Sequence, residues 1–160
     1  MAWTDSRWFG AAITDILAKT AQMDLNGDTI NVALYDTSIT PDKIAASAST
    51  AYNAGTWASG HLTDTGSSAP AGWPTVGRPL VTPTMAFASG TVTFDAVDTA
   101  SANAVTTITA AFGCEVYSDT IAAPVAKQGI CYNYFGGTQS VTLGTFTIVW
   151  NASGIATITY

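Results

Sequence analysis

Charge is the property this chain has least of. Asp, Glu, Lys and Arg make up 10% of its 160 residues, against about 25% in typical soluble domains. Glutamate occurs once, at Glu115, histidine once, at His61, and cysteine twice, at Cys114 and Cys131. Each scarcity argues against a class of function. The Lys and Arg residues stand singly, so no basic patch is available for direct contact with nucleic-acid phosphates. No apolar run reaches the length of a membrane span, and Met1 to Arg7 does not read as a signal peptide. The expectation is a protein made and used without secretion, with no membrane partner.

The chemistry of sites is equally thin. Cys114 and Cys131 lack the spacing and companions of a zinc site. They could face each other on neighbouring strands, and two buried free thiols fit a protein made in reducing cytosol. His61 lies between Gly60 and Leu62 in a Gly/Ser/Thr stretch, which reads as a solvated loop. No Gly-x-Ser-x-Gly elbow accompanies it. A single glutamate leaves a glycosidase pair to Asp95 and Asp98, and aspartates flanking a strand end read as turn chemistry. Asp24, Asn26 and Asp28 have the alternating oxygen spacing of a calcium loop but lack its closing glutamate. No glycine-rich phosphate loop is present. The expectation is no catalytic residue, no metal and no cofactor.

What the chain does contain is apolar and small-polar. Apolar residues reach 48%, so the missing charge is replaced by Thr, Ser, Ala and Gly. Soluble monomers usually keep a charged surface, and one this sparse suggests cover by other protein. Residues 4–20 read as a helix, with Thr4 or Ser6 as N-cap and a stripe of Phe9, Ile13, Ile16 and Leu17. That stripe packs on its own domain or on a neighbouring subunit, and residues 1–22 are expected to form a separable arm. Residues 29–35 read as a strand with Ile30, Val32 and Leu34 on one side. Thr40-Pro41 resembles a helix start.

Residues 45–85 are small and polar and then rich in proline, at Pro70, Pro74, Pro79 and Pro83. Proline lacks the N–H a central strand needs, so this region is expected to be loop or edge strand. Beyond it the chain is nearly all strand. Val92 and Phe94 point inward, and Ile108, Ala110, Phe112, Cys114 and Val116 share a face of a long strand. Gly136-Gly137 reads as a turn leading into a final hairpin over residues 139–160. In that hairpin Phe146, Ile148 and Trp150 form the apolar face, Asn151 to Gly154 the turn, and Ile155 onward the return. Short strands between turn signals indicate a mainly β fold, an antiparallel β-sandwich (immunoglobulin-like or jelly-roll-like) over residues 23–160 with one N-terminal α-helix.

Several segments carry a resemblance. The strand Asp28-Thr29-Ile30-Asn31-Val32-Ala33-Leu34-Tyr35 follows a short N-terminal helix, and Gly90-Thr91-Val92-Thr93-Phe94-Asp95-Ala96 comes later. The end reads Phe135-Gly136-Gly137-Thr138-Gln139-Ser140-Val141, then Gly144-Thr145-Phe146-Thr147-Ile148-Val149-Trp150-Asn151-Ala152-Ser153-Gly154-Ile155. Together these resemble small structural proteins of tailed bacteriophages, over most of the chain except residues 45–84. The resemblance implies a non-enzymatic virion component, a head-decoration protein in some phages and a minor tail protein in others. The leading expectation is a capsid decoration protein on the outer head, cementing the major capsid protein as a trimer or other homo-oligomer, without direct nucleic-acid contact. A minor tail or tail-tip protein, binding tail subunits or host-surface carbohydrate, is the alternative. The expected partner-contact residues are Trp3, Trp8, Phe9, Trp57, Trp73 and Arg78, with Trp57 and Trp73 exposed. On this reading, removing residues 1–20 leaves the β-domain folded.

Overall fold

The structure, a computed structural model, describes residues 3–68 and 70–159. Met1, Ala2 and Tyr160, the ends of the expected arm and hairpin, lie outside the described residues. In chain order the elements are β1 (Arg7–Trp8), α1 (Gly10–Leu17), β2 (Ile30–Tyr35), α2 (Ser47–Thr50), β3 (His61–Leu62) and β4 (Arg78–Pro79). They continue with β5 (Val81–Ala88), β6 (Thr91–Val97), β7 (Thr99–Ala100), β8 (Thr106–Ser118), β9 (Gly129–Gly144), β10 (Thr147–Ile148) and β11 (Ala156–Thr159). The fold is mainly β and sandwich-like, with antiparallel sheets that do not close into a barrel.

The central sheet runs β1-β9-β8-β2-β3, with β4 pairing the same edge of β2 as β3. Its strand β2 is buried along its whole length, and a period of two sends alternate side chains to opposite faces. Ile30, Val32 and Leu34 enter one core, with Cys114, Val116 and Ile130 from the neighbouring strands. That core is closed by Phe94, Phe146, Ile148 and Ile155, and by Trp73 and Leu80. Ala33 and Tyr35 enter a second, aromatic core with Tyr117 and Tyr132, covered by Trp3, Phe9, Ala12, Ile39 and Trp57. The second cover is irregular chain and short helix, not a sheet.

The inward face of the last segment is as its alternation implied, but the hairpin is not formed. Thr147 and Ile148 pair with Ala100 and Thr99, and residues 156–159 pair with residues 94 to 91. The chain thus runs antiparallel along β6 and β7 and never folds back on itself. The turn over Asn151 to Gly154 does close, with the Gly154 N–H donating to the Asn151 carbonyl at 2.7 Å. It is a protrusion between two stretches that share one direction. Alternation tells which side chains face inward; it does not choose the pairing partner.

Gly136-Gly137 is likewise a bulge rather than a turn. β9 continues through both residues, at φ +77° and +153°. Between the pairs Gly113↔Tyr134 and Ala111↔Gln139, β8 advances two residues while β9 advances five. Excess residues on one strand bend it without ending it. On β8 a positive φ of 63° at Ala110 shifts the alternation, so Ala111, not Ala110, joins Ile108 in the core.

The N-terminal segment departs furthest from expectation. Helix α1 is eight residues long, its N-cap position is the extended Phe9, and no side chain caps it. Ser6 instead accepts the Tyr134 N–H at 3.0 Å, because residues 7–8 pair with Tyr132 and Cys131 as an edge strand. Trp3 and Phe9 are 3% and 0% exposed, so this end is built into the domain and is not a separable arm. Two glycines in the central sheet make the room. A methyl added at Gly113 would overlap the Trp3 ring, and one at Gly129 would lie 2.7 Å from the Phe9 ring. Glycine inside a strand often marks such a close approach. Along α1, Ala12 is buried while Leu17 is 81% exposed. Thr40-Pro41 starts no helix; the one-turn α2 follows instead at Ser47.

The proline-rich stretch forms edge strands as expected. Pro79 lies in β4 and Pro83 in β5, the outer strand of the three-stranded sheet β11-β6-β5. Neither position asks proline for an N–H that a central strand would need.

Candidate functional site

Four of the six expected contact residues are core. Trp57 and Trp73, expected to be exposed, are 1% and 0% exposed. Their surroundings in sequence are small and polar, and only packing across the sheet buries them. Trp57, in a single 3-10 turn, meets Trp3, Phe9, Tyr35 and Tyr132 edge-on or tilted, with ring centroids 4.9–6.2 Å apart. Trp73 packs edge-on against Phe146 at 5.6 Å. Burial of Trp3 and Phe9 likewise removes them from any contact surface of the folded chain. Trp8 and Arg78 remain partly exposed. The Trp8 indole donates to the Thr157 carbonyl at 3.2 Å, and Arg78 donates to the Ala100 carbonyl at 3.3 Å. Both tie the central sheet to the layer above it.

Beneath Trp57 lies a polar group that no motif singled out. Glu115 is fully buried, and its Oε2 lies 3.0 Å from the Tyr35 hydroxyl. Tyr35 also lies 3.2 Å from the Trp57 carbonyl. Burial pushes the Glu115 carboxyl well above the usual carboxylate range, only partly offset by the Tyr35 hydrogen bond. A protonated Glu115 can donate through Oε2 to Tyr35, which donates in turn to Trp57, while Oε1 is buried without a hydrogen-bond partner among the described residues. The signal in sequence was a lone acid between Cys114 and Val116, in a strand otherwise apolar on that stretch. His61 is not in a solvated loop. It forms part of β3, and its ring packs 4.8 Å from Tyr35 and 5.1 Å from Tyr52. Burial lowers its pKa. Cys114 and Cys131 are buried and unbonded, two residues out of register across β8 and β9.

A second carboxylate has the opposite character. Asp64 accepts the N–H groups of Gly66, Gly72 and Thr107 at 2.7–2.8 Å, together with the Ser67 hydroxyl. Its own burial works to raise its pKa, but the hydroxyl and backbone donors outweigh this and hold it well below the usual range. Asp64 thereby pins the loop that delivers Trp73 into the core. The other candidate oxygen ligands are spent on backbone N–H groups. Asp24 and Asp28 accept the backbone N–H groups of Asn26 and Asp24, at 3.0 and 3.1 Å. Asn26 accepts from Met85 at 2.7 Å and Asp98 from Trp150 at 3.0 Å.

The surface offers a different set of residues for partner contact. Among the described residues, β5 has a strand neighbour on one side only, β6. Along this edge Val81 and Phe87 are 56% and 63% exposed, and Val97, in register with Val81, is 54% exposed. A positive φ at Thr82 and a register shift between Val81 and Thr84 twist the strand beside Pro83. These residues lie in the proline-rich region and the strand after it, where sequence reasoning selected the tryptophans and passed over the valines. No protein-family model, curated protein or solved structure matches this chain.

Proposed function

We propose that this chain is a non-enzymatic structural protein of a tailed-bacteriophage virion, a decoration protein that binds and stabilises the major capsid shell. The observation that carries the reading is the β5 margin. It joins an edge strand, whose Met85 N–H is taken by Asn26 Oδ1, to exposed Val81, Phe87 and Val97 in a chain with only 10% charged residues. An edge strand presents backbone groups that a neighbouring subunit can pair with, while pockets on the partner take alternate side chains. Val81 and Phe87 on β5, with Val97 beside Val81 on β6, supply apolar area for such pairing to bury. The net charge of −6 favours the outer surface of a head over contact with packaged DNA. The terminal motifs support the same reading through their resemblance to virion proteins.

Purified particles decide it. Quantitative mass spectrometry should find hundreds of copies per virion, and labelled antibody should decorate the head. The double variant Val81→Asp/Phe87→Asp should fold with an unchanged circular-dichroism spectrum yet be missing from particles. A few copies confined to the tail would overturn the decoration role in favour of a minor tail protein.

A further inference from the structure

Where β9 bends at its bulge, the two layers part. An open groove of about 720 Å³ lies between β9 and residues 145–154, and a hollow of about 260 Å³ adjoins it through shared Ser6, Asn151 and Gly154. The larger volume is within the usual size of small-molecule sites, roughly 300–1,000 Å³. We propose that this groove binds a neutral oligosaccharide.

Three features of the lining point there. Phe135 and Trp150, which also pack on the aliphatic core, bring aromatic rings to it, and such rings stack on the C–H faces of sugars; the Tyr134 ring packs instead against Phe112, 5.0 Å away, on the aromatic side. Asn133, Gln139 and Asn151 bring amides whose hydrogen-bonding capacity the fold scarcely uses. The Gln139 amide reaches the Gly137 carbonyl only at 3.5 Å, and the Asn133 amide reaches the Cys131 Sγ at 3.8 Å. Asn151 accepts from the Ser153 N–H at 2.8 Å through Oδ1, which leaves its NH₂ for a ligand. An amide both donates and accepts, as a sugar hydroxyl does, so paired hydroxyls match it well.

Charge sets the third condition. None of the chain's Asp, Glu, Lys or Arg residues lines the larger groove. In the larger groove an anionic ligand would find no cation to pair with, the Arg7 that lines the adjoining hollow is already paired with Asp5, and the net charge of −6 repels it. A lipid chain would strip water from the amides and hydroxyls without replacing their hydrogen bonds. An added peptide strand needs a regular edge, and the β9 bulge between Tyr134 and Gln139 interrupts the ladder at the groove's midpoint. The site is separate from the β5 margin, and the inference holds or fails independently of the decoration role.

The test is an array of immobilised neutral and acidic glycans probed with the full chain, followed by titration of the best soluble glycan by tryptophan fluorescence. Binding to a neutral glycan is expected. Trp150→Ala should weaken it by about tenfold or more, the scale of one lost aromatic contact together with the ring's buried area. Gln139 is exposed, so Gln139→Ala should weaken binding several-fold with melting temperature unchanged, and it decides the matter if Trp150→Ala misfolds. Arg78→Ala should bind as the wild type does. The proposal is overturned by capture of acidic glycans alone, by no glycan bound at millimolar concentration, or by binding indifferent to Gln139→Ala.

Discussion

The two faces of the central sheet are filled by different chemistry. On one, aliphatic residues of β2, β8 and β9 meet a second layer of strands through Phe94, Phe146, Ile148 and Ile155. On the other, Trp3, Phe9, Tyr35, Trp57, Tyr117 and Tyr132 interlock under irregular chain. A strand layer brings its own ladder, so aliphatic packing is enough to complete it. Irregular chain brings no ladder, and here it is held by large rings and by side-chain hydrogen bonds. Asp15 shows the second device. It accepts from Ser47 at 2.5 Å, Gln128 at 2.7 Å and Thr20 at 3.0 Å, joining α1, α2 and the start of β9. Burial works to raise its pKa, and these three donors bring it below the ordinary value.

The largest break in the comparison comes from removing residues 1–9. This takes Trp3 and Phe9 from the aromatic side, with only the half-buried Trp8 lost from the aliphatic side, and truncating each buried ring costs about 3–5 kcal/mol. The sum approaches the whole stability of a typical domain, about 5–15 kcal/mol. The truncated chain should therefore lose its cooperative melting transition, contrary to the expectation that a β-domain survives such a deletion. A retained transition in calorimetry would show that the aliphatic side suffices by itself.

Titration should separate the two sides next. Asp64, which secures the aliphatic side through Trp73, has a depressed folded-state pKa. Its contribution is present above the unfolded value of about 3.9 and disappears as pH falls through the folded value. Glu115, under the aromatic side, has a raised folded-state pKa. Its contribution is complete below the unfolded value of about 4.3 and fades as pH rises towards the folded value. Urea midpoints measured from pH 2 to 9 should accordingly fall on both flanks. Asp64→Asn should make the acid flank shallower and cost about 1–3 kcal/mol at neutral pH, the scale of buried donors left unpaired. Glu115→Gln keeps a donor and an acceptor for Tyr35 without a proton to lose, so its midpoint should exceed the wild type at pH 8. Parallel pH profiles for wild type and both variants would contradict this assignment.

The smallest effect belongs to the surface. Arg7 and Asp5 pair at 3.3 Å with side chains 52% and 32% exposed. Arg7→Ala should change stability by less than about 0.5 kcal/mol, and a larger loss would mean that β1 depends on this pair and not on its backbone ladder.

The aliphatic side was largely legible before folding was considered. Ile30, Val32 and Leu34, then Phe146 and Ile148, alternate strictly, and a strand's period of two decides facing locally. Edge strands in the proline-rich region followed from proline's missing N–H in the same way. The aromatic side was not legible, because Trp57 and Phe9 are buried by partners distant in the chain; nothing periodic surrounds Trp57, and the helical stripe read from Phe9 ends in an exposed Leu17. Of the candidate contact surface, the sequence pointed to the region but not to the residues.

The sequence by itself determined a mainly β chain, the inward residues of its main strands and the loop-or-edge nature of its proline-rich part. These depend on backbone stereochemistry and on spacing along a few residues. Tertiary structure decided that residues 147–159 run beside β6 and β7 instead of pairing with themselves. It also decided that Gly113 and Gly129 seat the N-terminal rings, that Glu115 sits buried beneath Trp57, and that a groove opens at the β9 bulge. Each of these depends on which distant segment arrives at a given place, and sequence spacing carries no record of that.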